Sequence, residues 1–268
     1  MKEKYHAVTI FLRHTVNNLF LFLYYFLLSP FSQAARHKLS AVYLTLNYPF
    51  FGPRYTDLSS LLRNDNLKVV LAPVKAGMHN ADAFELLSIC SFLKDNNADS
   101  VFEIGTYDGR TTMAMALNLA KTDSRIFTLN LPPETEGVKL DTSVVDVQLA
   151  KKVISGEKFL NTPQQNNITQ LWGDSATFDF SGYYNTIDFV FIDGAHSEHY
   201  VKNDTEKALQ LIKKSGGIIV WHDAHLFGVV KYLKPWINEN KLPVYFIKNT
   251  SIAVASVKDA GIVDFFSN

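Results

Sequence analysis

The chain has 268 residues, enough for two domains of ordinary size or for one large α/β domain with an extension. Its 26 Lys and Arg residues balance 26 Asp and Glu residues, so no overall positive field would attract a nucleic-acid backbone, and we expect no nucleic-acid partner. The single cysteine, Cys90, excludes an internal disulfide and a multi-cysteine metal site.

Aromatic residues are crowded near the start of the chain. Residues 19–28 (LFLFLYYFLL) are uninterrupted apolar or aromatic positions that end at Ser29-Pro30. A membrane-spanning helix needs about 20 apolar residues, so this run is too short to span a bilayer comfortably. Three interpretations stay open: a helix packed on its own domain, on a second copy or on a membrane surface; a secretory signal with a small-residue site at residues 32–34; and shallow insertion into a membrane. The length rule favours the first.

Prolines at positions 30, 49 and 53 break this region into two or three short helices. We therefore expect a helical extension over residues 1–66 and a second domain over residues 67–268. Two further partners are considered for the extension: a membrane surface contacted through residues 5–51, and a second copy of the chain in a homo-oligomer.

Strands alternate with helices from Asn80 onwards. Asn80 is expected to cap a helix whose apolar stripe buries the Cys90 thiol. A second helix, closed by Gly216-Gly217, presents one face to the core. Buried strands are predicted over residues 100–104, 125–131, 168–172, 187–192 and 217–221. This alternation predicts a mostly parallel sheet covered by helices on both faces.

The end of the chain departs from this alternation. Strands predicted over residues 243–247 and 252–257 are joined by only four residues, which makes them an antiparallel pair. The fold class is therefore α/β, a Rossmann-like doubly wound sheet with a C-terminal antiparallel hairpin and an N-terminal helical extension.

A glycine-bearing loop, Glu103-Ile-Gly105-Thr106-Tyr-Asp-Gly109, follows the first strand of this body. Ligands of open parallel sheets bind beyond the carboxyl ends of the strands. The glycines let the loop turn tightly and a ligand approach the backbone, and the next helix offers free N–H groups to an anion. Because the dinucleotide-binding pattern Gly-x-Gly-x-x-Gly is missing, a compact ligand with a carboxylate fits better than a pyrophosphate.

Four motifs in order resemble class I S-adenosylmethionine-dependent methyltransferases: FEIGTYDGRTT, LWGDSATFDF, DFVFIDGAHSEHYVKNDTEKALQLI and GGIIVWHD. They are similar to the small-molecule branch that includes macrocin- and cephamycin-type tailoring enzymes, over roughly residues 75 to 258. The resemblance implies a seven-stranded methyltransferase fold with S-adenosylmethionine as cofactor. It also implies methyl transfer to a small-molecule or sugar-like acceptor, most simply at a hydroxyl. Export would separate the enzyme from its cofactor, so we expect a cytoplasmic protein, membrane-associated if the extension contacts lipid.

The resemblance also assigns residues to the cofactor. Asn130 stands where the family carries an acid that binds the ribose hydroxyls, so weaker cofactor binding is expected. Asp174 and Ser175 would bind the adenine, and Asp193 would lie by the sulfonium and the acceptor. The full cofactor set is Glu103, Gly105, Thr106, Gly109, Asn130, Asp174, Ser175 and Asp193.

Transfer to a hydroxyl requires an aligned acceptor and removal of its proton. We predict His196 as the general base, because imidazole titrates in the working range, with Asp193 beside it. A competing role for this edge is a divalent metal site formed by Asp193, His222 and Asp223, for Mg²⁺ or another divalent cation. His199 and His225 are expected on solvated helix faces and Asp204 as a structural acid.

Residues 132–167 form a long insertion between two strands, which is typical of lids and binding loops. Three other functions remain open for the whole chain. They are a binding protein that kept the fold without transfer, a membrane-surface assembly protein, and a nicotinamide-dependent reductase, which the missing Gly-x-Gly disfavours.

Overall fold

The computed structural model describes residues 54–266 except 65, 73–78, 153 and 265, together with residues 19, 20, 23, 24 and 26–28. The predicted signal site and the three N-terminal prolines lie outside the described residues. The chain divides into two compact units, Met1–Pro53 and Arg54–Asn268. The second unit begins earlier than residue 67 because Tyr55 and Thr56 pair with a strand near the C-terminus.

In the first unit the seven described residues are helical, and their large apolar side chains are between 37% and 71% exposed. Within the described parts of the chain, the helices are all too short or too polar to cross a bilayer.

In the described part of the second unit nine strands form one sheet. The strands are β1 (Tyr55–Thr56), β2 (Ser100–Ile104), β3 (Arg125–Asn130), β4 (Ile168–Trp172), β5 (Phe189–Ile192), β6 (Gly217–Trp221), β7 (Tyr245–Ile247), β8 (Ala253–Lys258) and β9 (Gly261–Val263). Their order in the sheet is β1-β7-β8-β6-β5-β2-β3-β4, with β9 paired to β8. The central strands β4, β3, β2, β5 and β6 are parallel, whereas β8 runs antiparallel to β6, β7 and β9. The predicted Rossmann-like sheet with a C-terminal antiparallel hairpin is confirmed, and β1 and β9 extend it beyond seven strands.

Among the residues of the second unit that the structure describes, five α-helices connect these strands. They are α1 (Ala83–Asp95), α2 (Arg110–Ala116), α3 (Val144–Lys152), α4 (Glu198–Leu211) and α5 (Phe227–Asn240). Short 3₁₀ turns occupy Leu58–Ser60, Pro163–Asn167 and Ser181–Tyr183. The order of helices and strands brings the carboxyl ends of β2, β3, β4, β5 and β6 to one edge of the sheet.

The start of α1 differs from the prediction. Asp82, not Asn80, is the N-cap: its carboxylate accepts the N–H groups of Phe84 and Glu85. Glu85 in turn accepts the Asp82 N–H, which completes a capping box. Asn80 instead donates to Asp108 in the loop after β2. The cap therefore fixes Glu85, whose carboxylate faces the interior.

The core lies between the sheet and its helices. Phe92, Val101, Phe189, Val220 and Val254 belong to one buried cluster that joins α1 to four strands. Cys90 is fully buried as predicted, and burial raises the pKa of its thiol to about 12, so it stays protonated and unreactive at neutral pH.

Candidate functional site

Two glycines shape the loop between β2 and α2. Gly105 has φ +103°, and a Cβ added there would lie 2.1 Å from the carbonyl oxygen of Asp193. Gly109 has φ +83°, and an added Cβ would lie 2.7 Å from the Phe159 ring. Both positions need glycine because the loop packs tightly against the end of β5 and against the insertion. The loop and Asp193 are therefore direct neighbours.

Glu103 lies fully buried beneath this loop. Its Oε2 accepts hydrogen bonds from the hydroxyls of Thr112 and Thr128. Its Oε1 is buried and has no hydrogen-bond partner within the described part of the chain. Burial disfavours the carboxylate and raises the pKa of Glu103 to about 8, despite the two threonine donors.

The side chains of Thr106 and Asn130 also form hydrogen bonds within the protein. The Thr106 hydroxyl lies 2.7 Å from that of Thr128 and accepts from the side-chain amide of Gln170 at 3.1 Å. Asn130 is 5% exposed, and its Oδ1 accepts the Tyr107 N–H at 3.4 Å, a long hydrogen bond. The Asn130 oxygen therefore has capacity for a second donor.

Asp174 follows β4 and is surrounded by donors. Its carboxylate accepts from the Tyr200 hydroxyl at 2.8 and 2.9 Å, from the Ala176 N–H at 2.9 Å and from the Lys139 N–H at 2.7 Å. The neighbouring Ser175 carbonyl accepts from the Asn203 amide at 3.2 Å. Asp174 and Ser175 are thus tied to α4 and to the insertion.

Two acids and two histidines meet where β5 and β6 end. We call Asp193, His196, His222 and Asp223 the histidine–carboxylate cluster. His222 Nδ1 lies 3.0 Å from Asp193 Oδ1, and His196 Nε2 lies 3.2 Å from Asp223 Oδ2, an ion-pair distance without hydrogen-bond geometry. The predicted catalytic and metal-binding residues are therefore brought together at one edge.

The grouping suited to a metal ion differs in one member from the predicted set. Ligand atoms of Asp193, His196 and Asp223 lie within 4.8 Å of one another. His222 is only 7% exposed, and its Nε2 lies 3.2 Å from Glu85 Oε2 while its Nδ1 faces Asp193. Both nitrogens of His222 are therefore occupied by carboxylates, and His196 takes its place in the grouping.

Glu85 and Asp146 complete the surroundings of the cluster. Glu85 accepts from the backbone N–H of Ser251 at 2.8 Å and from its hydroxyl. Asp146, in α3, lies with Oδ1 3.1 Å from His196 Nδ1, and its Oδ2 accepts the His196 N–H at 3.2 Å. Neither acid was predictable from local sequence, because each is far from its histidine along the chain: Glu85 and His222 are 137 positions apart.

These contacts determine the charges of the cluster. Burial opposes the cationic form of His196, but Asp146 and Asp223 outweigh it and raise the pKa to about 10. Burial alone would raise the pKa of Glu85, yet His222 and Ser251 bring it down to about 2. The pKa of His222 is likewise raised well above its usual value by Asp193 and Asp223, against the effect of burial. Both imidazoles are therefore cations at neutral pH when no metal is bound.

Histidines and acids outside the cluster follow the predictions unevenly. His199 is exposed, as expected. His225 is instead half-buried at 3.9 Å from Asp223, and burial lowers its pKa. Asp204 is a fully buried structural acid, and burial raises its pKa to about 7 although Ser175 and Asn203 donate to it.

The insertion contacts the site at several points besides Asp146. The N–H groups of Gly156 and Lys158 donate to the carbonyls of Tyr107 and Asp108 at 3.0 and 2.9 Å. The insertion, which was predicted to be a lid or binding loop, is thus hydrogen-bonded to the glycine loop through its second half.

Residues 102–224 match a family model described as a methyltransferase domain. That range contains the four motifs, the glycine loop, Asp174 and the whole histidine–carboxylate cluster, so the match confirms the predicted resemblance to methyltransferases. No curated protein matches this chain.

Several solved structures resemble this chain. An O-methyltransferase from Bacillus cereus, in complex with SAH, is 15% identical with a TM-score of 0.47, covering 70% of this chain and 84% of that one. A putative caffeoyl-CoA O-methyltransferase from Staphylococcus aureus is 18% identical with a TM-score of 0.49, covering 67% and 85%. The O-methyltransferase TomG from Streptomyces achromogenes, involved in tomaymycin synthesis and in complex with SAM, is 17% identical with a TM-score of 0.46, covering 67% and 82%.

Proposed function

We propose that this chain, whose residues 102–224 match a methyltransferase domain, is a class I, S-adenosylmethionine-dependent enzyme that transfers a methyl group to a hydroxyl of a small-molecule acceptor. The observation that carries the proposal is the contact between the glycine loop and Asp193. Metal-ligating atoms of Asp193, His196 and Asp223 lie within 4.8 Å of one another at the same place. A cofactor loop and a set of groups able to orient and deprotonate an acceptor therefore share one edge of the sheet.

The residues around the loop suit the cofactor. S-adenosylmethionine carries an α-ammonium group, a ribose and an adenine, and its sulfonium supplies both the methyl group and the leaving group. Burial raises the pKa of Glu103 to about 8, and the ammonium of the cofactor would favour its carboxylate form, in which Oε1 accepts from the ammonium or from a water bound to it. Asn130 Oδ1 accepts only one long hydrogen bond from Tyr107 and could accept a second one from a ribose hydroxyl. The Asp174 carboxylate already accepts from three donors, so an adenine amino group there would displace the Lys139 or Tyr200 donor.

A divalent cation fits the donor set of Asp193, His196 and Asp223. Two carboxylates and one imidazole favour Mn²⁺ or Zn²⁺ over Mg²⁺, since imidazole is a poor ligand for Mg²⁺. A bound cation would lower the pKa of an acceptor hydroxyl. His196 would have to lose its proton to bind it, so cation binding should release a proton.

The protein's own groups divide the remaining work. Asp193 lies at the end of β5 beside Gly105 and would orient the acceptor against the methyl group. His222, held between Glu85 and Asp193, fixes that carboxylate. Without a bound cation His196 would be the general base, and only after its proton had been removed, because an imidazolium with a pKa of about 10 cannot accept one.

The same proposal extends to location and partners. We place the enzyme in the cytoplasm, where its cofactor is made, and assign residues 5–51 to contact with a membrane surface or a second copy of the chain. The described apolar side chains among residues 19–28 are exposed. This exposure supports such a contact, because large apolar patches are seldom left uncovered.

Calorimetry with S-adenosylhomocysteine, followed by turnover of S-adenosylmethionine with a panel of hydroxyl-bearing acceptors, tests the function. We expect saturable cofactor binding and transfer that Asp193→Asn abolishes, while Asp179→Asn, at an exposed acid outside the cluster, leaves it unchanged. Absence of cofactor binding with and without Mn²⁺ would contradict the enzyme assignment. Full activity of Asp193→Asn would remove Asp193 from the site.

A further inference from the structure

Ser251 lies buried in the short link between β7 and β8. Its backbone N–H and its hydroxyl both donate to Glu85 Oε1, the N–H at 2.8 Å. Its carbonyl accepts the N–H of Ala224 at 2.8 Å, and Ala224 directly follows Asp223 in the chain. One residue of the hairpin therefore contacts both the first turn of α1 and the loop that carries a carboxylate of the histidine–carboxylate cluster.

The backbone on both sides of Ser251 is fixed by hydrogen bonds. The N–H of Ile247 donates to the Ile252 carbonyl at 3.0 Å. The Thr250 hydroxyl donates to the Ile247 carbonyl at 2.9 Å and accepts the Ile252 N–H at 3.1 Å. Because its neighbours are bonded to one another across the link, Ser251 is a rigid support for the groups that it contacts.

Glu85 connects Ser251 to the imidazole of His222. Glu85 Oε2 accepts the Asp82 N–H at 2.8 Å and lies 3.2 Å from His222 Nε2. At the other end of the ring, His222 Nδ1 lies 3.0 Å from Asp193 Oδ1 and 3.5 Å from Asp223 Oδ2. The imidazole is thus held between Glu85 and the two acids of the cluster, so the position of Glu85 determines how the ring meets the Asp193 carboxylate.

Asp223 has a backbone conformation that its surroundings must hold. Its φ is +49°, in the left-handed region that is uncommon for residues other than glycine and persists where neighbouring contacts fix it. The N–H groups on either side are both bonded: that of His222 donates to the Ile192 carbonyl at 3.0 Å, and that of Ala224 donates to the Ser251 carbonyl. Ser251 therefore supplies one of the two backbone contacts that flank this residue.

Neither Ser251 nor Glu85 lies within residues 102–224, the range that matches a methyltransferase domain. We propose that Ser251 is a positioning residue for methyl transfer, which sets the orientation of the Asp193 and Asp223 carboxylates from outside that range. The inference rests on the proposed function, in which Asp193 orients the acceptor. Because Ser251 acts through its neighbours at the end of β5 and β6, its loss should slow transfer and leave cofactor binding in place.

Steady-state transfer and calorimetry with the full chain test this inference. Ser251→Ala removes the hydroxyl donor to Glu85 and keeps both backbone contacts. We expect kcat to fall about tenfold or more, while the Kd of S-adenosylhomocysteine changes by less than about twofold. Ser251→Thr retains a hydroxyl and should keep kcat within about threefold of that of the parent.

Ser256→Ala is the matched control. Ser256 is a buried serine of β8 whose hydroxyl has no hydrogen-bond partner among the residues that the structure describes. Its replacement should leave both kcat and the Kd of S-adenosylhomocysteine as they are in the parent. Thermal unfolding of all three variants checks that a loss of transfer does not come from unfolded protein.

The ring N–H signals of His222 give a readout that needs no acceptor. They are assigned by their loss in His222→Asn and recorded by NMR at one pH in protein stripped of metal. We expect them to move in Ser251→Ala and to stay in place in Ser256→Ala, because only the first change alters the contact to Glu85.

Three results would overturn the inference: an active parent whose kcat is unchanged in Ser251→Ala, equal losses of kcat in Ser251→Ala and Ser251→Thr, or His222 signals that do not move in Ser251→Ala. An inactive parent whose His222 signals do move in that variant would instead overturn the proposed function and leave the contacts from Ser251 to His222 standing.

Discussion

Nδ1 of His196 lies 3.1 Å from Oδ1 of Asp146, and this pair joins the insertion to the edge of the sheet where Asp193 and Asp223 lie. Asp146 belongs to α3 and is separated from His196 by 50 residues. The helix thus contributes a carboxylate to the charge balance of the cluster, besides covering it. The protonation of His196 consequently depends on whether α3 is in place.

Replacing Asp146 by Asn should lower the pKa of His196 from about 10 by roughly one unit or more, because a neutral amide no longer stabilises the imidazolium. NMR titration of the imidazole, in protein stripped of metal, measures this change. Asp141→Asn is the matched control, since Asp141 is an exposed acid of the same insertion. An unchanged His196 titration in Asp146→Asn would show that Asp223 and Asp193 determine the pKa of His196 without Asp146.

Glu85→Gln should destabilise the protein by about 3 kcal/mol, because it leaves a buried imidazolium with one carboxylate fewer. Glu85 and His222 are both nearly inaccessible, so solvent does not replace the lost partner. Urea unfolding measures the change, with Glu136→Gln as an exposed control. The double variant Glu85→Gln, His222→Asn should lose much less free energy of unfolding than the sum of the losses in the two single variants. Losses that add fully would contradict a direct coupling between the two side chains.

Two buried acids predict how stability depends on pH. Asp204 and Glu103 have pKa values raised by burial to about 7 and about 8, so the folded state holds protons that the unfolded state releases. The contribution of these two acids to the free energy of unfolding is therefore greatest at acidic pH. For each acid it declines by about 1 kcal/mol per pH unit as the pH rises towards the pKa of the folded state.

Asp204→Asn isolates one of these groups. The free energy of unfolding of the parent should fall relative to that of the variant as the pH rises from 4 to 7, because over that range Asp204 is ionised in the unfolded chain and protonated in the folded protein. Urea titrations at pH 4, 5, 6 and 7 measure the two curves. Parallel curves would mean that Asp204 is not protonated in the folded protein.

Much of this architecture follows from local sequence pattern. Continuous apolar runs identify the parallel strands, and the short link between β7 and β8 identifies their antiparallel pairing. Asp193 and Asp223 could be placed together because both end parallel strands of one sheet. The pairings of Glu85 and Asp146 with the two histidines depend on how distant segments pack, which no local spacing encodes. The Asp82 cap was readable, since Glu85 stands three residues later, but Asn80 offered a competing cap nearby.

Gly105→Ala tests whether the loop depends on close packing against β5. The residue has φ +103°, and an added Cβ would meet the Asp193 carbonyl at 2.1 Å, so the loop must shift. We expect a loss of about 3 kcal/mol in stability and of S-adenosylhomocysteine binding, since the same shift moves Asp193. Gly182→Ala is the matched control, because a Cβ there meets nothing within 4 Å. Thermal unfolding and calorimetry on both variants measure the effect. Equal behaviour of the two would show that the loop tolerates a side chain at residue 105 and that its packing against Asp193 does not position the site.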